Sequence, residues 1–143
     1  METIVVERTI DAPLEEVFDW CATTTNYERT AWVLRDKLTR PGDGAAYGVG
    51  AIRRHTWLIG RFDERITSYD RPHSFEYVVD RSFPPIPHKG ASMTFTTVPG
   101  GTRVVWTTAI DANPLVGRIA RTVVGHVFGR ILNACAEELG GKM

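Results

Sequence analysis

The segment PLVGRIARTVVGHVFGRILNACAEEL, residues 114–139, decides how this chain folds. Its apolar side chains recur every three or four positions, which predicts one long helix with a continuous apolar face. Asn113 is well placed to cap the first turn, and Pro114 suits the first helical position. Such a helix is roughly 37 Å long and cannot bury its apolar face against itself. It therefore needs an extended partner, which a curved antiparallel sheet provides. The apolar face consists of Leu115, Val116, Ile119, Val123, Val124, Val127, Phe128, Ile131, Leu132 and Cys135.

Segments of alternating apolar and polar residues precede this helix and predict the sheet. The first runs from Ile4 to Ile10, and Val33 to Leu38 is a candidate for an additional, seventh strand. Five more segments follow the glycine-rich loop RPGDGAAYGVG, and turn formers such as Gly60 and Pro99–Gly101 separate them. These five are VGAIRRHTWLI, RFDERITSY, SFEYVVD, ASMTFTTV and TRVVWTTAI. The pattern is that of an antiparallel meander of six or seven strands.

Two short helices are predicted after the first strand. In DAPLEEVFDWC, Asp11 is the expected N-cap, and the apolar residues Leu14, Val17, Phe18 and Cys21 share one helical face. TTTNYERT then predicts a second, shorter helical turn. The order of strand, two short helices, meander and long helix indicates an α+β protein, with residues 1–143 forming one domain.

Composition limits the classes of function. The 143 residues contain 17 Lys+Arg and 17 Asp+Glu, so the formal net charge is zero and we expect no nucleic-acid partner. No apolar run reaches the ~20 residues of a membrane span, so we expect no stable membrane insertion. The opening METIVVERTI is acidic and alternating, unlike a secretory signal, and we expect a cytoplasmic protein.

Several kinds of reactive site find no support in the sequence. The four histidines have no HxxxH or HxH spacing, so we expect no metal site and no cofactor. There is no GxSxG nucleophile motif, and the glycines between residues 42 and 50 lack the Lys-Ser/Thr of a phosphate-binding loop. Cys21 and Cys135 are interpreted as two isolated buried thiols rather than a disulfide.

Three stretches carry a family resemblance. IDAPLEEVFDW, GAIRRHTWLIGRFDERITSYDRPHSFEYVV and GGTRVVWTTAI resemble the polyketide cyclase/dehydratase-like proteins of the START and birch-pollen-allergen superfamily. The resemblance covers Ile4 to about Leu139. It implies a helix-grip fold, in which a bent antiparallel sheet wraps the long C-terminal helix and a cavity lies between them. Family members bind or transform hydrophobic small molecules such as lipids, sterols, quinones and polyketides.

Aromatic and aliphatic side chains are the expected lining of such a cavity, because ligand pockets are mostly apolar. The alternative for each of them is ordinary core packing. The candidates are Trp57, Phe62, Tyr77, Phe95 and Trp106 on the strands, with Val123, Val127 and Phe128 on the helix.

Acid–base chemistry in the same cavity is the second possibility. A carboxylate of Glu64 among apolar residues would have a raised pKa, and Tyr77 and His55 would complete a catalytic set. The alternative is an ion pair of Glu64 with Arg53 or Arg54 across the hairpin at Gly60. Arg54 is a further candidate, as a group that orients a polar ligand head.

His88 follows the proline-rich stretch SFPPIP, which restricts the backbone and delivers the imidazole to the start of a strand. It is a candidate ligand contact at the cavity rim, where it would titrate near neutral pH. The alternative is a loop histidine without a role.

The sequence therefore predicts a protein that binds a hydrophobic or aromatic small molecule, as a monomer or homodimer. An enzyme of the cyclase/dehydratase type and a protein-interaction module are the alternatives, since a fold alone does not determine function.

Overall fold

The computed structural model describes residues 2–140, which form one antiparallel sheet, a long helix and two short helical segments. The sheet has seven strands in the spatial order β1-β7-β6-β5-β4-β3-β2. The strands are β1 (Glu2–Ile10), β2 (Val33–Arg40), β3 (Ile52–Trp57), β4 (Gly60–Asp70), β5 (Ser74–Phe83), β6 (His88–Val98) and β7 (Gly101–Ile110). The helical segments are α1 (Leu14–Ala22), a 3-10 helix (Thr24–Arg29) and α2 (Pro114–Leu139). The α+β helix-grip prediction is confirmed, and the candidate seventh strand is β2.

The meander explains the strand order. From β2 to β7, each strand pairs with the next strand in the chain. The first strand, β1, pairs with the last, β7, over its whole length, from Glu2↔Ile110 to Ile10↔Thr102. The two short helical segments between β1 and β2 therefore connect opposite edges of the sheet. Within residues 2–140, no helix combines the length and the hydropathy that crossing a membrane requires.

The two halves of α2 differ in burial. The C-terminal half packs on the concave face of the sheet, where Val127, Ile131 and Leu132 are fully buried. The N-terminal half carries an equally apolar face, yet Leu115 and Ile119 remain 67% and 56% exposed. Asn113 caps the helix as predicted, because its Oδ1 accepts a hydrogen bond of 2.9 Å from the Val116 N–H. The predicted apolar face is thus buried along only part of its length.

An aromatic cluster fills the interior below the C-terminal half of α2. Phe18 of α1 meets Phe75 and Phe95 edge to face, with ring centroids 5.7 and 5.1 Å apart. This arrangement gives aromatic pairs favourable quadrupole contacts. Phe95 and the fully buried Val127 therefore belong to the filled core, which was the alternative for both residues.

One local prediction was wrong, and a second was correct only in part. The N-cap of α1 is Pro13, and no side chain caps this helix, so Asp11 does not have the predicted role. Cys21 and Cys135 are free and buried as predicted, but they are not isolated from each other. Burial raises the pKa of the Cys21 thiol well above its usual range, and the neighbouring Cys135 thiol raises it further.

The hairpin between β6 and β7 offers a test of the fold. Gly100 and Gly101 both have positive φ angles, +94° and +135°, but their surroundings differ. A Cβ on Gly101 would lie 2.1 Å from the Ile10 carbonyl oxygen of β1, whereas a Cβ on Gly100 would meet nothing within 4 Å. We predict that Gly101→Ala lowers the free energy of unfolding by at least about 1 kcal/mol more than Gly100→Ala. Urea unfolding of both variants measures this difference, and equal losses would contradict the packing of β1 on the hairpin.

Candidate functional site

A cavity of about 350 Å³ lies between the sheet and the N-terminal half of α2. Its walls are mostly apolar, and its polar members are Glu64, Tyr77, Ser82, His88 and Thr108. The cavity reaches solvent beside Pro84, Val116 and Ile119, all of which are exposed. The remaining lining residues are Ile4, Trp57, Ile59, Phe62, Val79, Ile86, Ile110, Ala120, Val123, Val124 and Phe128.

Divergence of two strands makes room for this cavity. β5 and β6 pair only from Ser74↔Thr94 to Tyr77↔Ala91. Beyond that point β5 continues beside β4, while β6 stays with β7 and has a bulge between His88 and Gly90. Bulges bend a strand and increase its twist, and this bulge lies at His88 in the wall of the cavity. Beside the cavity, α2 contacts the sheet through the edge strand β1, where Arg121 pairs with Glu2 and Gly125 faces Ile4.

His88 joins the diverging strands through its side chain. Its Nδ1 accepts hydrogen bonds from the backbone N–H groups of Val79 (3.1 Å) and Gly90 (3.2 Å). Nδ1 therefore carries no proton, and the Nε2–H donates to the Thr108 hydroxyl at 2.7 Å. Burial lowers the pKa of His88 below its ordinary 6.5, against an opposing effect of the Glu64 carboxylate. His88 lines the cavity, and both its burial and its three hydrogen bonds favour the neutral imidazole.

Tyr77 lines the cavity and carries a hydroxyl group that Trp106 holds in place. Its hydroxyl oxygen accepts a hydrogen bond of 2.8 Å from the Trp106 indole N–H. Burial raises the pKa of Tyr77 far above its usual range, so the phenol remains neutral. Its own O–H finds no acceptor among residues 2–140. Trp106 positions this group from behind the cavity wall and stacks on Phe128 with ring centroids 3.7 Å apart.

Four charged side chains form a buried cluster at one wall of the cavity. The Glu64 Oε1 atom accepts hydrogen bonds from Arg53 Nη2 (2.5 Å) and from His55 Nε2 (2.7 Å). The His55 Nδ1 atom makes a short contact with Asp36 Oδ2. Two cations and two carboxylates thus neutralise each other, and this pairing lowers the free-energy cost of burying them.

The cluster sets the protonation states of its members. Burial alone would lower the pKa of His55, but the Glu64 and Asp36 carboxylates overcome it and raise the value to about 9. Burial would raise the pKa of Glu64, but the positive charges of His55 and Arg53 lower it to about 2. The expected raised pKa of Glu64 is therefore wrong, because an ion pair replaces an isolated carboxyl group. The predicted alternative, a pair with Arg53, is what the structure contains.

Strand register explains why these groups meet. Asp36 lies directly opposite His55 in the β2–β3 pair, and Arg53 lies opposite Glu64 in the β3–β4 pair. Side chains directly opposite each other in neighbouring strands are close enough to interact. Asp36 was missed in the sequence, since only the pairing of β2 with β3 brings it to His55. Alternation from Val33 would turn Asp36 to the outer face, and the bulge between Val33 and Arg35 turns it inward.

Aromatic rings complete the surroundings of Arg53. Its guanidinium carbon lies 4.9 Å from the centre of the Tyr77 ring and 5.5 Å from that of Phe75. The Nε and Nη1 atoms have no hydrogen-bond partner among the described residues. Cation–π attraction to the two rings offsets part of the free-energy cost of burying these two nitrogens without hydrogen bonds.

The structure brings some predicted site residues together and separates others. Trp57, Phe62, Glu64, Tyr77, His88, Val123 and Phe128 line the cavity. His55, Phe95, Trp106 and Val127 are buried without lining it. Arg54 lies on the outer face, where it forms an exposed ion pair of 2.9 Å with Asp63, so it does not reach the cavity. Among residues 2–140, no group of three or more His, Cys, Asp or Glu side chains is arranged to hold a metal ion.

Arg53 and Arg54 provide a matched test of the buried cluster. We predict that Arg53→Met lowers the free energy of unfolding by about 3–5 kcal/mol, because Glu64 loses a buried charge partner. Arg54→Met should have little effect, since its pair with Asp63 is exposed and screened by water. Urea unfolding of both variants measures the contrast. Similar, small losses would show that the cluster does not stabilise the fold.

The pH dependence of stability tests the charge state of His55. Its pKa rises from 6.5 to about 9 on folding, so its contribution is complete below 6.5 and is lost as the pH rises through 9. We predict that the free energy of unfolding falls by roughly 1–2 kcal/mol between pH 7 and pH 8.5. A His55→Gln variant should lose this slope. Equal stability of the unsubstituted protein at both pH values would contradict the assignment.

Comparison with known proteins agrees with this architecture. Residues 1–143 match the family described as polyketide cyclase / dehydrase and lipid transport. Comparison with curated proteins found no match. A START superfamily protein from Mycobacterium smegmatis has a TM-score of 0.81 at 9% identity, covering 100% of both chains.

Two further solved structures share the fold. A protein from Thermobifida fusca, determined by solution NMR, has a TM-score of 0.75 at 25% identity, covering 99% of this chain and 95% of that chain. Ara h 8.0201 has a TM-score of 0.72 at 13% identity, covering 96% of each chain. By its sequence match and its helix-grip fold, this chain belongs to the polyketide cyclase/dehydrase and lipid-transport family.

Proposed function

We propose that this protein binds a hydrophobic or aromatic small molecule, such as a lipid or a polyketide, in the cavity beside α2. The observation that carries the proposal is the cavity itself, with about 350 Å³ of space and apolar walls. Sites for small molecules typically have volumes of ~300–1,000 Å³, with a few polar groups that fix the orientation of the ligand. The family description, which includes lipid transport, supports the same conclusion.

An apolar entrance supports binding rather than simple imperfect packing. Val116 and Ile119 line the cavity and are also exposed, so an apolar molecule meets apolar surface before it enters. Exposed apolar surface costs free energy in water, and a bound ligand removes part of that cost. The hollow also argues against the interaction-module alternative, for which the protein's own side chains would fill the cavity.

Acid–base catalysis by the predicted residues has less support. Efficient general acids and bases have pKa values near the working pH. Glu64 has a pKa of about 2 and His55 a pKa of about 9, so neither group is suited to exchange protons near pH 7. We therefore favour a binding protein over a cyclase that uses Glu64, Tyr77 and His55.

A cavity-filling substitution tests the proposal. Ala120 lines the cavity, whereas Thr122, two residues along α2, is exposed. We predict that the protein binds the neutral dye N-phenyl-1-naphthylamine with a rise in dye fluorescence. Ala120→Phe should weaken this binding by about tenfold or more, equivalent to 1.4 kcal/mol. Thr122→Phe, which adds the same side chain outside the cavity, should leave the affinity unchanged.

Native mass spectrometry of freshly purified protein complements this titration. A bound cellular molecule should appear with the unsubstituted protein and be depleted in Ala120→Phe. If the dye does not bind, or binds both variants equally well, the ligand is not held in this cavity and the proposal fails.

A further inference from the structure

One oxygen of the Glu64 carboxylate faces the cavity without a partner. Oε1 accepts both hydrogen bonds of the charge cluster, from Arg53 and from His55. Oε2 accepts no hydrogen bond from residues 2–140. It is also not one of the buried side-chain atoms that lack both accessible surface and a hydrogen-bond partner, so it borders open space. The Glu64 side chain is only 9% exposed and lines the cavity, so the open space that Oε2 meets is the cavity. A strong hydrogen-bond acceptor is therefore directed into an otherwise apolar volume.

The electrostatic field inside the cavity depends on which charged group of the cluster lies nearest to it. Arg53 and His55 contact Oε1, on the buried side of the carboxylate, and are almost fully buried themselves. No Lys or Arg is among the described residues that line the cavity. A ligand thus meets the negative end of the cluster first and finds no cation in the wall. Because charge interactions strengthen where water is excluded, an entering anion is disfavoured.

The other polar groups of the wall are neutral. Tyr77 retains a free O–H, and its position is diagonal to Glu64 across the β4–β5 pair, where Glu64 faces Val79 and Ile66 faces Tyr77. His88 uses both ring nitrogens for the protein's own hydrogen bonds. The wall therefore offers a charged acceptor at Glu64 and a neutral donor at Tyr77. A ligand hydroxyl matches this pair, since it donates through its hydrogen and accepts through its oxygen.

We infer that the cavity selects apolar ligands with a hydroxyl or amine group that donates a hydrogen bond to Glu64, and that it rejects carboxylates such as fatty acids. This inference rests on the proposed binding function and names the class of ligand. It assigns Glu64 to ligand selection rather than to proton transfer. A ligand lacking a donor would leave Oε2 desolvated and unpaired, which is costly for a charged group.

Three naphthalenes of similar size test this selectivity at pH 7, by displacement of N-phenyl-1-naphthylamine from the purified protein. 2-Naphthol carries a donor, 2-methoxynaphthalene lacks one, and 2-naphthoate is an anion. We expect 2-naphthol to bind at least about tenfold more tightly than 2-methoxynaphthalene, as for a hydrogen bond to a charged acceptor. We expect 2-naphthoate to bind more weakly than either.

Equal affinities for 2-naphthol and 2-methoxynaphthalene would overturn the inference while leaving the binding proposal intact. Binding of 2-naphthoate as tightly as 2-naphthol would do the same. If neither the dye nor any of the three compounds binds, the proposed function fails, and the inference fails with it.

Two variants locate the effect. Glu64→Gln should reduce the preference for 2-naphthol over 2-methoxynaphthalene and raise the affinity for 2-naphthoate, because the negative charge is gone. Tyr77→Phe removes the neutral donor but keeps the carboxylate, so it should still reject 2-naphthoate. Rejection of 2-naphthoate that persists in a folded Glu64→Gln variant would assign the selectivity to another group and overturn the inference. If that variant does not fold, the ligand series on the unsubstituted protein decides.

Discussion

The stack of Phe128 on Trp106 is the contact on which the interior depends. The two rings lie 3.7 Å apart and almost parallel, at the point where α2 crosses β7. Towards the C-terminus of α2, side chains such as Ile131 and Leu132 fill the space against the sheet. Towards its N-terminus, the space between α2 and the middle of the sheet remains open as the cavity. Phe128 belongs to both regions, because it packs on the core and lines the cavity.

The cavity depends on a strand pairing that stops early. Backbone groups that leave a sheet ladder need other partners, since unpaired buried polar groups are costly. At the divergence of β5 from β6, the His88 ring accepts hydrogen bonds from Val79 and Gly90 and donates to Thr108. The side chain thereby replaces part of the missing ladder and closes the wall. The proline-rich connection before His88 restricts the backbone that delivers it.

The charge cluster is an expensive feature for a protein of this size. Burying ions costs several kcal/mol each before their mutual attraction is counted. Apolar residues of similar volume often give equal or greater stability. The cluster lies where the filled core meets the open cavity, and one carboxylate oxygen remains free on the cavity side. Its position connects the stability of the sheet with the chemistry that a ligand would meet.

The sequence by itself determined the helix from Asn113 onward, the alternating strands and their order, because hydrophobic periodicity and turn residues are local properties. It also allowed the pairing of Arg53 with Glu64, which sit on either side of one hairpin. Tertiary structure decided the rest. Asp36 reaches His55 only through the β2–β3 register, Arg54 points outward because neighbouring residues of a strand alternate in direction, and the pKa of Glu64 falls because two cations surround it. Periodicity shows which face a residue takes, but distances between faces, and the space left between them, depend on how the whole sheet bends.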